Sequence, residues 1–130
     1  MPRYSKRSKE RLASCDQRLQ EVFNEVIKHV DCSILEGHRS KERQNKLYDE
    51  GRTKVKYPNG RHNSNPSKAC DVTPYPVDWK DRERQTLFAG FVLGLARSMG
   101  YICDSQRSCG HDRSSHIGKI KRYARSWWSF

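Results

Sequence analysis

The sequence predicts an α+β fold: a single small domain in which three helices surround a small antiparallel sheet, followed by an irregular C-terminal segment. Two observations predict it. Residues 8–30, 40–50 and 78–100 have the periodicity or the capping residues of helices. Short strand candidates lie after each of them, at residues 32–36, 69–72 and 101–103. Helices and strands therefore alternate along the chain.

The first helix is predicted from apolar residues that recur at three- and four-residue steps, and Ser8 is a candidate N-cap. These residues are Leu12, Cys15, Leu19, Val22, Phe23, Val26, Ile27 and Val30. The strand Cys32–Glu36 then ends at Gly37. Ser40 is placed to cap the second helix, and Gly51 to end it.

Residues 52–68 are rich in Pro, Asn and Gly, which is typical of a loop, and they lead to the strand 69–72. Asp78 and Asp81 mark the start of the third helix, and Gly100 marks its end. We expect its apolar face to pack against Leu19, Phe23 and Ile27. That face is predicted to comprise Leu87, Phe88, Phe91, Val92, Leu95 and Met99.

Composition narrows the possible functions. No apolar run is long enough to span a membrane, so we expect no membrane insertion. The formal net charge of +11 favours polyanionic partners, of which nucleic acid and an acidic bacterial wall are two. Residues 1–9 are basic but precede no apolar segment, so they do not form a secretory signal. The five cysteines include no pair with zinc-knuckle spacing, and we expect reduced thiols.

One pair of residues has metal-ligand chemistry. His62 lies on the predicted loop, and Asp71 lies on the strand that follows it. Imidazole nitrogen and carboxylate oxygen both bind zinc, and a catalytic zinc needs three protein ligands and an open position for water. A histidine and an aspartate at this spacing are also typical of an ordinary polar surface, so spacing alone does not decide between the two interpretations.

Several separated motifs, in order, resemble one enzyme family. They are Glu36-Gly37-His38-Arg39-Ser40 with Gln44, Arg61-His62-Asn63, Pro66-Ser67-Lys68-Ala69, Asp71, Pro74-Tyr75-Pro76, Asp78-Trp79 and Phe88-Ala89-Gly90-Phe91-Val92-Leu93-Gly94. Together they are similar to the zinc D-alanyl-D-alanine carboxypeptidase and L-alanyl-D-glutamate endopeptidase family, in its phage or prophage endolysin form. The likeness covers roughly residues 10–100. Gly60 departs from it, because the family usually has serine there.

The resemblance implies a zinc metallopeptidase that cleaves peptidoglycan stem peptides. His62 and Asp71 would be the first two zinc ligands, and Arg39 would bind substrate and stabilise the oxyanion. Peptidoglycan is the expected partner and a monomer the expected state. We expect a location in the host cytoplasm, with action on the cell wall after release. Tyr75 and Trp79 are interpreted as packing residues, and His29 and His38 as surface residues.

The C-terminal region departs from this family, which ends in an Asp or Glu followed three residues later by His. That element is not found here, so the catalytic acid and the third zinc ligand stay unidentified. His111 has no acid three residues before it, and His116 follows Asp112 by four residues. We therefore divide the chain into an incomplete peptidase-like domain, 1–100, and an atypical basic tail, 101–130.

Two explanations of the tail stay open. Trp127-Trp128-Ser129-Phe130 is compatible with Gly-Gly-His-Phe in another reading frame, which suggests a frameshift after Gly100, and a natural divergent tail is the alternative. Two further functions also stay open. One is a catalytically inactive remnant of the family. The other is a basic nucleic-acid-binding protein that stacks bases on Tyr123, Trp127 and Trp128. No nucleic-acid-binding module is found, so nucleic acid is the least favoured partner.

Overall fold

A computed structural model describes residues 2–107 and 126–129. Its elements are α1 Lys6–Ala13, α2 Gln17–Val26, β1 Cys32–Glu36, α3 Lys41–Asp49, a 3₁₀ helix Arg61–Asn63, β2 Ala69–Pro74, α4 Arg82–Ser98, β3 Asp104–Arg107 and β4 Ser126–Ser129. The predicted α+β class and the small antiparallel sheet are confirmed. The predictions for His111, Asp112, His116 and Tyr123 lie outside the described residues.

The predicted first helix is two helices. Asp16 interrupts it, because its side chain accepts a hydrogen bond from the Arg18 backbone N–H and so caps α2. The backbone at this junction pairs with a distant segment instead of continuing the helix. Asp16 N–H donates to Ser67 O at 2.7 Å, and Ser67 N–H donates to Ser14 O at 2.9 Å. This contact anchors the chain just before β2.

The start of the first helix also differs from the prediction. Ser5, not Ser8, caps α1 by accepting from the Ser8 backbone N–H. The Ser8 hydroxyl is buried and accepts a hydrogen bond from the Ile34 backbone N–H at 3.2 Å. Ser8 therefore joins α1 to β1. The predicted Ser40 cap of α3 is confirmed, as are the left-handed Gly51 and Gly100 after α3 and α4.

Among residues 2–107 and 126–129 the sheet has four strands in the order β1-β2-β4-β3, and every neighbouring pair is antiparallel. β2 is central, and all six of its residues are buried. β1 pairs with β2 in a register that places Ile34 opposite Val72 and, after an irregularity, Glu36 opposite Asp71. On the other side of β2, Asp71 pairs with Trp127. The strand predicted at residues 101–103 is wrong, because these residues are irregular and β3 is formed by Asp104–Arg107.

The core lies between the helices and one face of the sheet. It includes Leu19, Phe23 and Ile27 of the α2 region, as predicted, and also Cys15, Cys32, Cys70, Val72 and the N-terminal Tyr4. The Tyr4 hydroxyl donates to Phe23 O at 2.7 Å, so this buried tyrosine has a polar partner.

The predicted core face of α4 is partly wrong. Phe88 and Val92 are buried, and Leu95 and Met99 pack against the core as partly buried residues. Leu87, however, is 76% exposed and Phe91 is 36% exposed. The buried face is completed by three residues that the apolar pattern passes over, namely Gln85, Ala89 and Ala96. Ala89 and Ala96 add small side chains to this buried face, and Leu87 lies on the exposed side of the helix.

Within residues 2–107 and 126–129, none of the helices has the length and apolar character required to cross a bilayer.

Candidate metal centre

His62 is held by hydrogen bonds between its own segment and the chain that follows β1. The Arg39 backbone N–H donates to His62 O at 2.8 Å, and the Asn63 side-chain amide donates to Arg39 O at 3.0 Å. Asn63 Oδ1 in turn accepts from the Gly60 backbone N–H at 3.0 Å. These hydrogen bonds fix both ends of the short 3₁₀ helix. The imidazole between them is buried.

One carbonyl group determines which imidazole nitrogen faces the site. His62 Nδ1 lies 2.8 Å from Gly37 O, and a carbonyl oxygen can only accept a hydrogen bond. In the neutral imidazole Nδ1 therefore carries the proton, and Nε2 presents a lone pair. This is the usual arrangement of a metal-binding histidine, whose second nitrogen is oriented by an outer partner.

Gly37 can occupy this position only because it has no side chain. A Cβ atom there would lie 2.2 Å from Arg11 O, 2.4 Å from Ser14 Oγ and 3.0 Å from Cys15 Sγ. The close approach of Gly37 to α1 thus sets the position of the carbonyl that orients His62.

Asp71 brings a carboxylate to the free imidazole nitrogen. His62 Nε2 and Asp71 Oδ1 are 3.5 Å apart, and both side chains are about nine-tenths buried, at 10% and 8% exposed. Two zinc ligands at bond lengths of about 2.0–2.1 Å in a tetrahedral site lie about 3.3 Å apart. The structure therefore brings together the two residues that the resemblance pairs as metal ligands. Nε2 and Oδ1 are thus close enough to share one metal ion.

Arg39 lies on the other side of Asp71. Its Nη2 is 3.8 Å from Asp71 Oδ2, and its side chain is 11% exposed. Glu36 binds the guanidinium through two oxygens, at 3.1 Å from Nε and 2.9 Å from Nη2. Burial alone would raise the pKa of Glu36, but its hydrogen bonds and ion pair with Arg39 outweigh burial, and the pKa lies below its ordinary value.

Gln44 completes the support of Arg39. This fully buried residue of α3 accepts from Arg39 Nη1 at 3.0 Å and from the Asn63 amide at 3.4 Å through the same oxygen, and its amide nitrogen donates to Val55 O. The motifs contain Glu36, Gln44 and Asn63, but the sequence pattern does not indicate their contacts with Arg39. A buried glutamine five residues after a buried arginine has no periodic signature that would have revealed this contact.

The residues fit a metal in part. His62 and Asp71 offer two ligands of the right chemistry and spacing, but the described ranges contain no group of three or more His, Cys, Asp or Glu side chains able to hold an ion. A third ligand is therefore not assigned to any described residue, and neither is a catalytic base. Zinc itself stays a prediction.

The other side chains predicted near the motif differ in their exposure to solvent. His29 and His38 are exposed, as predicted. Tyr75 was expected to pack around the site, but it is 56% exposed, because the chain turns outward immediately after β2. Trp79 is half-buried.

The fold belongs to a class that includes a solved peptidase. The structure is similar to that of the L-Ala D-Glu endopeptidase ChiX from Serratia marcescens, with a TM-score of 0.71 over 98% of this chain and 90% of the other. The two sequences are 23% identical, so the likeness establishes a shared fold. Comparison with models of protein families gives no match, and comparison with curated protein sequences gives none either.

Proposed function

We propose that this chain is a zinc metallopeptidase of the endolysin type that cleaves peptidoglycan stem peptides. The observation that carries the proposal is the pairing of His62 Nε2 with Asp71 Oδ1 at 3.5 Å, with the opposite imidazole nitrogen bound to a carbonyl. The fold shared with an L-Ala D-Glu endopeptidase supports the same class of substrate. The bond that is cut, the release to the wall and the phage or prophage source are parts of this proposal.

Each residue has a defined task in this function. His62 and Asp71 would hold zinc, which when bound supplies an activated water and polarises the peptide carbonyl. Arg39 uses three of its five N–H donors on Glu36 and Gln44 within the described residues. The remaining donors can bind the oxygen of the scissile carbonyl and stabilise its developing charge. Glu36 and Gln44 hold the guanidinium in place for this purpose.

A second candidate is a catalytically inactive remnant of the same fold. It is favoured because, within the described ranges, no third metal ligand and no catalytic base is assigned beside His62 and Asp71. With two protein ligands zinc affinity falls, and without general-base help the rate falls by about 10²–10⁴. We therefore expect turnover well below that of a version whose tail is replaced by an ending with Asp-x-x-His.

Zinc binding is tested by competition titration with a chromogenic chelator. His62→Ala and Asp71→Asn should each remove the binding that the unaltered chain shows. His38→Ala is the matched control, because this histidine is exposed and lies outside the pair, and it should leave affinity unchanged. Equal zinc affinity in His62→Ala and His38→Ala would exclude the site.

The β2–β4 register offers a sharper test. Asp71 pairs with Trp127 in the backbone register, and directly opposed residues of an antiparallel pair share one face of the sheet. Trp127→His should therefore supply a third ligand and tighten zinc binding. Trp128→His is the control, because position 128 pairs with Cys70 and successive residues of a strand alternate between faces. Equal affinities in the two variants would contradict the proposed position of the metal.

Hydrolysis separates the enzyme from the remnant. Purified peptidoglycan with added zinc is incubated with the unaltered chain, with Arg39→Lys and with the version that has the replaced tail, and new amino groups are measured. If the chain is an enzyme, the unaltered chain releases amino groups and Arg39→Lys releases fewer. Lysine cannot reproduce the planar guanidinium that Glu36 holds. If only the version with the replaced tail releases amino groups, the inactive remnant is the correct interpretation.

A further inference from the structure

Helix α4 has a second stripe, exposed and largely apolar, on the side away from its buried face. Its buried face consists of Gln85, Phe88, Ala89, Val92 and Ala96. At 100° per residue, the opposite side of the helix is formed by six exposed residues, namely Ser98 and five that we call the outward stripe. The outward stripe comprises Glu83, Leu87, Gly90, Gly94 and Arg97.

The outward stripe is apolar in its middle, and large side chains flank it. Leu87 is 76% exposed. Phe91 and Leu93, at 36% and 37% exposed, border the stripe on either side. A surface helix normally places polar residues opposite its buried face, so an apolar outward side favours contact with another surface.

Within the described part of the chain, neither steric contact nor backbone conformation requires glycine at the two glycine positions of the outward stripe. A Cβ atom at Gly90 or Gly94 would meet nothing within 4 Å, and neither glycine has a positive φ. Glycine inside a helix destabilises it relative to alanine. Glycines at a helix crossing, however, let a second helix approach more closely than the usual 8–10 Å between axes.

The charges at the ends of the outward stripe identify the occupant. Glu83 lies seven residues before Gly90, and Arg97 lies seven residues after it. Neither side chain has an ion pair or a hydrogen bond within the described part of the chain. If two copies of α4 cross antiparallel about a two-fold axis at Gly90, Glu83 of each copy faces Arg97 of the other. The same operation brings Leu87 opposite Leu93.

We propose that the outward stripe of α4 is a self-complementary interface through which two copies of this chain form a dimer. The surface is isologous, as a two-fold dimer requires. A single helix face is small, which places the dimer among weak, transient complexes. This departs from the monomer expected from the sequence, and it is independent of the proposed peptidase function.

Charge-reversal variants test the interface. Sedimentation measures the mass of the protein in solution at protein concentrations from about 10 μM to about 1 mM in 0.15 M salt. The unaltered chain should pass from one copy to two. Glu83→Arg and Arg97→Glu should each weaken association about tenfold or more, because each creates like-charge pairs across the axis. The double variant should restore association. Restored association in the double variant cannot come from the helix dipole. Arginine in the first turn and glutamate in the last turn of α4 both interact unfavourably with the dipole.

Two further variants complete the test. Gly94→Leu fills open space in the monomer but blocks the close approach of two helices, so it should abolish the dimer while the chain stays folded by circular dichroism. Lys9→Glu reverses an exposed charge on α1 and should leave association unchanged. A mass of one chain at every concentration, or a double charge reversal that is no better than the single ones, overturns the proposal.

Discussion

Replacing Gly37 by alanine tests whether one close contact controls both the fold and the site. The new Cβ would lie 2.2 Å from Arg11 O, whereas carbon and oxygen normally approach to no less than about 3.3 Å. The obstacle is helix backbone, which cannot rotate away as a side chain can. Overpacking of this kind costs typically about 1–3 kcal/mol, and we expect the upper end, about 3 kcal/mol. With a urea m-value of about 2 kcal/mol/M, the unfolding midpoint falls by about 1.5 M.

The same substitution should weaken zinc binding. Relief of the clash moves the Gly37 carbonyl that accepts from His62 Nδ1, and loss of such an outer partner costs about 10–100-fold in metal affinity. Gly90→Ala is the matched control, because its Cβ meets nothing within 4 Å. At low protein concentration it should raise stability by about 0.5–1 kcal/mol and leave zinc affinity unchanged. Equal urea midpoints for the two variants would refute the steric argument. Unchanged zinc affinity in a destabilised Gly37→Ala would refute the orienting role.

Three further predictions follow from burial and charge. In urea melts Phe88→Ala should lower the free energy of unfolding by about 3–5 kcal/mol. Phe91→Ala should lower it by only about 1–2 kcal/mol, since Phe91 is 36% exposed and its removal opens no closed cavity. Equal losses in the two variants would mean that α4 is rotated about its axis. Asp16→Ala should cost about 1 kcal/mol as a lost cap. A hydrogen bond from Arg18 lowers the pKa of Asp16, so the contribution of Asp16 to stability is present above the ordinary carboxyl pKa and is lost as pH falls through the lowered value. Asp16→Asn, which keeps the cap, should flatten this acid dependence of stability, and an unchanged profile would contradict it. Burial raises the pKa of Cys32 to about 11, so about one thiol in a thousand is ionised at pH 8. Mass spectrometry should therefore find Cys32 alkylated only in urea. Rapid alkylation of Cys32 in the folded chain would show that this thiol is accessible to solvent.

The helical and strand patterns predicted most of the fold because they depend on neighbours in the chain. Ser40, Asp81 and Gly51 act at helix ends through local hydrogen bonds and backbone conformation, and β1 lies at the residues that its apolar pattern indicates. The errors arose where a distant segment intervened. The pairing of Asp16 with Ser67 divided the first helix, and this contact between residues far apart in sequence leaves no periodic signal.

The site shows the same division between local and distant information. Composition and pattern predicted a strand for Asp71 and the segment after a strand for Arg39, and both are found there. They also predicted a loop for His62, which instead lies in the short 3₁₀ helix Arg61–Asn63. Tertiary structure decided the rest. It placed His62 Nε2 beside Asp71 Oδ1, bound Arg39 with Glu36 and Gln44, and turned Leu87 of α4 outward. The physical reason is that hydrogen bonds and close packing act over a few ångströms, between residues whose separation in the chain is unrelated to their distance in space.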